Sequence, residues 1–79
     1  MTEQEIKTEV SVLHSILLAK GYKWAGATAY IAGASQLPSV LITSQQPRIS
    51  EALSGSTMRD ALDAAASYVN ALSIAQVAA

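Results

Sequence analysis

The sequence predicts an α+β fold. The expected architecture is a two-layer sandwich in the order helix, strand, strand, third strand, helix, with an antiparallel sheet and both helices on one face. Three observations carry this. Apolar residues recur at helical spacing near the start of the chain and again from Met58 onward, and between these segments the pattern changes to alternation broken by turn formers. At 79 residues the chain has room for one small domain, residues 1–79, and no linker divides it.

The first helix is expected from Glu3 to Lys20, with Ile6, Val10, Leu13 and Leu17 on one face. Thr2 can cap its first turn while Glu5 reaches back in a capping box, and Glu3 and Glu5 suit the positive end of the helix dipole. Lys20 suits the other end, and Gly21 can take the left-handed conformation that closes a helix. Val12, Ile16 and Leu18 widen the apolar surface beyond one stripe.

From Trp24 to Ala32 the residues alternate: Trp24, Thr28 and Tyr30 fall on one side, Ala25, Ala27, Ala29 and Ile31 on the other. This reads as a strand. Gly33 to Pro38 supplies a turn, and Ser39 to Gln45, with Val40, Ile42 and Thr43, reads as a second strand antiparallel to the first. After Gln46 and Pro47, residues 48–53 alternate weakly, as a short third strand or an irregular link. The last helix is expected from Met58 to Gln76, opened by Ser56 or Thr57 with Asp60 completing a second capping box. Met58, Ala61, Leu62, Ala65, Val69 and Leu72 form its buried stripe, and its alanines suit close packing on the alanine side of the first strand. Ile74 and Val77, beyond the last charge, would fray or dock.

Composition narrows the function. With 51% hydrophobic and 14% charged residues, the chain is too apolar for an intrinsically disordered tail, and a net charge of -1 gives no broad basic field for non-specific nucleic-acid binding. No cysteine is present, so there is no disulfide, zinc finger or thiol nucleophile. Residues 24–47 carry no charge, but Gly26, Gly33, Gln36 and Pro38 interrupt them well short of a membrane span, so no membrane role is expected. The polar, acidic start reads as cytoplasmic.

Catalytic equipment is sparse. His14 is the only histidine, which leaves a lone general base as its most that chemistry could use and a structural or surface role as the simpler reading. Glu5 and Glu9 lie one turn apart, as on any solvated helix face, and no serine sits in a G-x-S-x-G context. The four glycines are isolated, so neither phosphate-binding fingerprint is available and no cofactor or metal is implied. The chain reads as a non-enzyme.

The informative group is Tyr22, Lys23, Trp24, Thr28 and Tyr30. If the alanine side of the first strand faces the helices, Trp24 and Tyr30 stand on the open sheet face as contact anchors; in the opposite arrangement they form the core. The first arrangement makes a non-catalytic protein-interaction module, an inhibitor or adaptor that occludes a partner protein through Trp24, Thr28, Tyr30 and Lys23, aided by the loop Ser35 to Pro38 and the final helix. The charge-free span from Trp24 to Pro47 is where contact is expected. The same property suits a homodimer, by edge-strand pairing or face packing. The alternative is a nucleic-acid contact through Lys20, Lys23, Arg48 and Arg59, which is less favoured because few basic residues interleave with the rings.

The run Gly55-Ser-Thr-Met-Arg-Asp-Ala-Leu-Asp-Ala-Ala-Ala-Ser-Tyr-Val-Asn-Ala-Leu, following a helix and strands, resembles the double-stranded RNA-binding domain, whose α-β-β-β-α fold ends in an alanine-rich helix. Where that family places paired lysines at the start of the last helix, this chain has Met58 and Arg59, so the resemblance carries over only Arg59 as a phosphate contact. In size and composition the chain is also similar to small phage-encoded inhibitors such as anti-CRISPR proteins, which implies action through one binding surface.

Overall fold

The structure is a computed structural model that describes residues 2–32 and 36–74. Helix α1, Glu3–Ala19, starts where Thr2 and Glu5 close a full capping box: Glu5 N donates to Thr2 Oγ1 at 3.2 Å and Thr2 N donates to Glu5 Oε1 at 3.3 Å. It ends at Lys20, with Gly21 at φ 87 taking the turn that a side chain would disfavour. Strands β1 (Gly26–Ala32), β2 (Leu37–Gln45) and β3 (Arg48–Ser54) form an antiparallel sheet in the order β1-β2-β3, and helix α2 is Met58–Ala71. Thus 48–53 is strand, and the β2–β3 hairpin turns at Gln46 and Pro47.

Both helices cover one sheet face, the one carrying Ala27 and Ala29 of β1, Val40 and Ile42 of β2 and Leu53 of β3. They run parallel: Arg59 at the start of α2 pairs with Glu9 of α1, and Lys20 after α1 reaches the end of α2. The core between the layers is Leu13, Leu17, Tyr22, Val40, Ile42, Ala61, Leu62, Ala65 and Val69. No polar side-chain atom is buried without a partner among the described residues.

Several local expectations need correction. The alanines of α2 do not pack on β1. α2 lies over β2 and β3 while α1 covers β1, so the two helices sit side by side across one sheet face. α2 stops at Ala71 rather than Gln76, since Leu72 leaves helical geometry (φ -65, ψ 140) where side chains from the α1–β1 link take over its carbonyls. Lys20 Nζ donates to Val69 O at 2.9 Å, Asn70 O at 2.9 Å and Leu72 O at 2.6 Å, and Tyr22 Oη donates to Ser73 O at 2.9 Å. Lys20 therefore closes α2 and not its own helix. The second capping box is only half made: Asp60 N donates to Thr57 Oγ1 at 3.1 Å, without the reciprocal bond seen in α1. β2 begins at Leu37, earlier than Ser39, with Pro38 inside it. Pairing with β3 starts only at Ser39, so the missing N–H of Pro38 removes no bond on that side. Val77 and the turn residues 33–35 lie outside the described residues.

Candidate functional site

The alanine-inward arrangement fixes what the opposite face presents. Residues paired directly across an antiparallel sheet point the same way, so the open face is built in three cross-strand rows. These are Gly26, Thr43 and Ser50; Thr28, Leu41 and Ala52; and Tyr30, Ser39 and Ser54. None of the side chains in these three rows is charged at neutral pH, and no element of the described chain covers them; the next row, Gln45 with Arg48, brings one cation onto the same face at the β2–β3 turn. Ser39 is fully buried between its register partners Tyr30 and Ser54, its Oγ 2.8 Å from Ser54 Oγ. Leu41 lies half-buried at the centre, while Thr28 and Ala52 on either side are exposed. At Gly26 a Cβ would come within 3.2 Å of Thr43 Oγ1, so the close approach of β1 and β2 there favours glycine.

The aromatic anchors divide. Tyr30 is 37% exposed on the face, whereas Tyr22 belongs to the core. Trp24 is not in β1, as the alternation suggested, but precedes it with φ 56, a conformation that bulky side chains rarely adopt. It is 78% exposed. The backbone on its N-terminal side is pinned: Lys23 N donates to Gln46 O at 3.0 Å, and Lys23 O accepts from Gln45 N at 3.1 Å and Ser44 Oγ at 3.2 Å. Trp24 is thus held exposed at the end of the sheet by a fixed and locally unfavourable backbone. Leu37, from the expected contact loop, is 44% exposed, and the exposed Gln36 beside it has φ 52.

The four candidate nucleic-acid contacts do not converge. Lys23 and Arg48 lie close in register at the Trp24 end of the sheet, through the Lys23–Gln46 bridge and the Gln45–Arg48 pair. Lys20 is at the same end but is spent on the carbonyls of α2, and Arg59 is at the far end, ion-paired with Glu9 and with Asp63 at 3.5 Å. Charge is therefore polarised along the molecule. Glu3, Glu5, Glu9, Asp60 and Asp63 gather at the helix N-termini, and Lys20, Lys23 and Arg48 at the opposite end. Both groups complement the helix dipoles.

His14 is exposed on α1, and no group of three or more metal-ligating side chains is found among the described residues. Thr2 lowers the Glu5 pKa through its backbone and side-chain hydrogen bonds, and burial raises that of Tyr68, followed by the charges of Glu51 and Tyr22; both shifts follow from structural contacts. The hollow between the helices, about 190 Å³, is lined mainly by Leu13, Ile16, Leu62 and Ala66, with Glu9 and Asn70 also in its lining. A hollow of about 530 Å³ beside the β2–β3 turn has Arg48 as its one ionisable lining residue.

Leu41, Thr43, Ser50, Ala52 and Ser54 complete the face but were not among the expected contacts. Counting outward in pairs from Gln46 and Pro47 would have found them. No helix among the described residues is long and apolar enough to cross a membrane. Comparison with family models, curated proteins and solved structures gives no match to this chain.

Proposed function

We propose that this chain is a small non-catalytic protein-interaction module that lays its open sheet face on a partner protein and occludes what it covers, as an inhibitor does, with the cytoplasm as its place of action. One observation carries the reading: a three-strand face whose three central rows hold no charge, covered by no described element, with Trp24 exposed at the end of the sheet in a left-handed backbone conformation. Interface cores are depleted in charge, and an exposed tryptophan on a pinned backbone has the character of a binding hot spot. Backbone strain at an exposed side chain points the same way, because strain concentrates at sites that act.

The nucleic-acid reading rests on Lys23 and Arg48 beside Trp24, since Lys20 and Arg59 are engaged within the fold. Two cations give a weak phosphate grip. The test is capture from host lysate on the immobilised chain, read by mass spectrometry and repeated with Trp24→Gly, Tyr30→Ala and, as a control on the far side, Val12→Ser. A partner retained by wild type and the control but lost by the first two supports the proposal. Equal capture by all four, or a micromolar and strongly salt-dependent affinity for labelled RNA, overturns it.

A further inference from the structure

We propose that β1 is a pairing edge through which two copies of this chain join, β1 against β1 and antiparallel, into one continuous six-stranded sheet. The order β1-β2-β3 leaves β1 and β3 as edges, each with one row of backbone N–H and C=O groups facing outward. Folded proteins guard such rows with charge, proline, a bulge or a covering element. β3 carries Arg48 and Glu51. β1, Gly-Ala-Thr-Ala-Tyr-Ile-Ala, has no residue charged at neutral pH and no proline, and its ladder to β2 runs through seven consecutive pairs without a bulge. The two helices cover the sheet's face and not this edge.

The flank of the edge is apolar as well. α1 meets α2 across a hollow lined by Val12, Leu13 and Ile16, and at about 100° per residue Leu18 projects from the opposite side of the helix, about 160° from Ile16. α1 approaches β1 more closely than any other strand, so the side of α1 turned away from α2 lies toward the β1 side of the sheet. Leu18 is 53% exposed, and Ile31, on the helix side of β1, is 57% exposed. The ionisable groups on this flank are His14 and the Glu3–Lys7 ion pair, whose charges offset each other.

A second copy is the occupant that these features fit. A two-fold axis sets a surface against itself, which an uncharged edge flanked by leucine and isoleucine tolerates and a charged one does not. Size sets the strength. Seven residues span about 24 Å, and a sheet plus a helix layer is about 20 Å deep, so the contact buries about 1,000 Å² over both copies, the lower bound for a specific interface. The expected dimer is therefore a weak one.

Light scattering from about 1 to about 500 µM should show the mass rising from 8.2 kDa toward twice that value. Amide exchange in the wild type should show the outward-facing β1 amides slowed at the high concentration relative to the low one. The double variant Leu18→Lys, Ile31→Lys should stay monomeric with an unchanged circular dichroism spectrum. A wild-type mass that stays at the monomer value, β1 amides that exchange equally at both concentrations, or a dimer indifferent to the two lysines would each overturn the proposal. The exchange comparison decides the matter if the double variant unfolds. Position 31 faces the helix side of β1 and position 18 lies on α1, so neither lysine stands on the face of Thr28 and Tyr30, and loss of pairing is separable from loss of partner capture.

Discussion

Replacing Trp24 separates an exposed anchor from a core residue by magnitude alone. Trp24 is 78% exposed, so the fold shields about 55 Å² of the ~250 Å² that a tryptophan can bury, and at about 25 cal/mol per Å² its truncation removes about 1.4 kcal/mol. A core tryptophan would cost ~3–5 kcal/mol. The backbone gives a second, independent handle. At φ 56 an alanine keeps the left-handed penalty and a glycine does not, so Trp24→Gly should be more stable than Trp24→Ala by about 1 kcal/mol, despite glycine's looser unfolded state. In a domain of this size that difference is about 4–8 °C in Tm. Thermal unfolding of wild type and both variants, followed by circular dichroism, should rank them with the alanine variant lowest. A loss of 3 kcal/mol or more in the alanine variant, or a glycine variant no more stable than the alanine one, would refute the placement of Trp24.

Lys20→Met keeps the aliphatic stem but strips three charge-assisted bonds from the end of α2, so a loss of ~2 kcal/mol and faster amide exchange in its last turn are expected. Gly55→Ala places a Cβ 2.6 Å from Asp60 Cβ and 2.7 Å from Ala61 N, and the overpacking should cost ~1–3 kcal/mol, read as a lower urea midpoint. The Tyr68 pKa is raised in the folded state, chiefly by burial. The folded state therefore holds its proton more tightly than the unfolded one, and the associated stability is intact below about pH 10 and lost as pH rises through the folded value. Tyr68→Phe should flatten that alkaline decline. Glu5 has the opposite sign: its lowered pKa gives stability that is present above the usual carboxylate value and lost as pH falls through the folded value, which α1 helicity in an acid titration would report.

The element order was legible because each segment announces itself locally. Ile6, Val10, Leu13 and Leu17 fix a helix by spacing, Thr2 and Glu5 fix where it begins, and Val40 and Ile42 between turn formers fix a strand. What stayed hidden depends on contacts distant in sequence. Nothing near Lys20 says that its ammonium will seat on carbonyls 49 to 52 residues away, so its position after α1 suggested the wrong helix. The same contact ends α2 early, although Leu72 keeps the helical period. Arg59 shows a related limit. Counted as a basic residue it suggests a phosphate contact, yet besides Asp63, one turn on in the same helix, it pairs with Glu9 of α1, and the parallel packing that brings Glu9 to it is encoded by no local pattern. The direction of β1 was ambiguous for a physical reason: both of its sides are tolerable in a core, the alanines by fitting closely and the rings by filling space. The choice is made by α1, which packs over β1 and leaves room for small side chains beneath it.

Pairing through β1 and binding through the open face use different surfaces of one sheet, and the first would strengthen the second. Strand addition consumes edge N–H and C=O groups and leaves both faces of the sheet where they were. The open faces of two copies would then lie side by side across six strands at about 4.8 Å spacing, a continuous surface about 29 Å wide whose charge is confined to Arg48 at the β2–β3 turn of each copy. A single copy presents half of that, small for a specific contact unless Trp24 supplies most of the energy. A partner with a matching two-fold surface would engage both tryptophans at once, and the second contact would form at high effective concentration. Occlusion by the dimer should then depend on chain concentration more steeply than occlusion by a monomer, and the Leu18→Lys, Ile31→Lys variant should lose that steepness while keeping single-site binding. Equal affinity of the pairing-deficient and wild-type chains for a two-fold partner would dissociate the two surfaces.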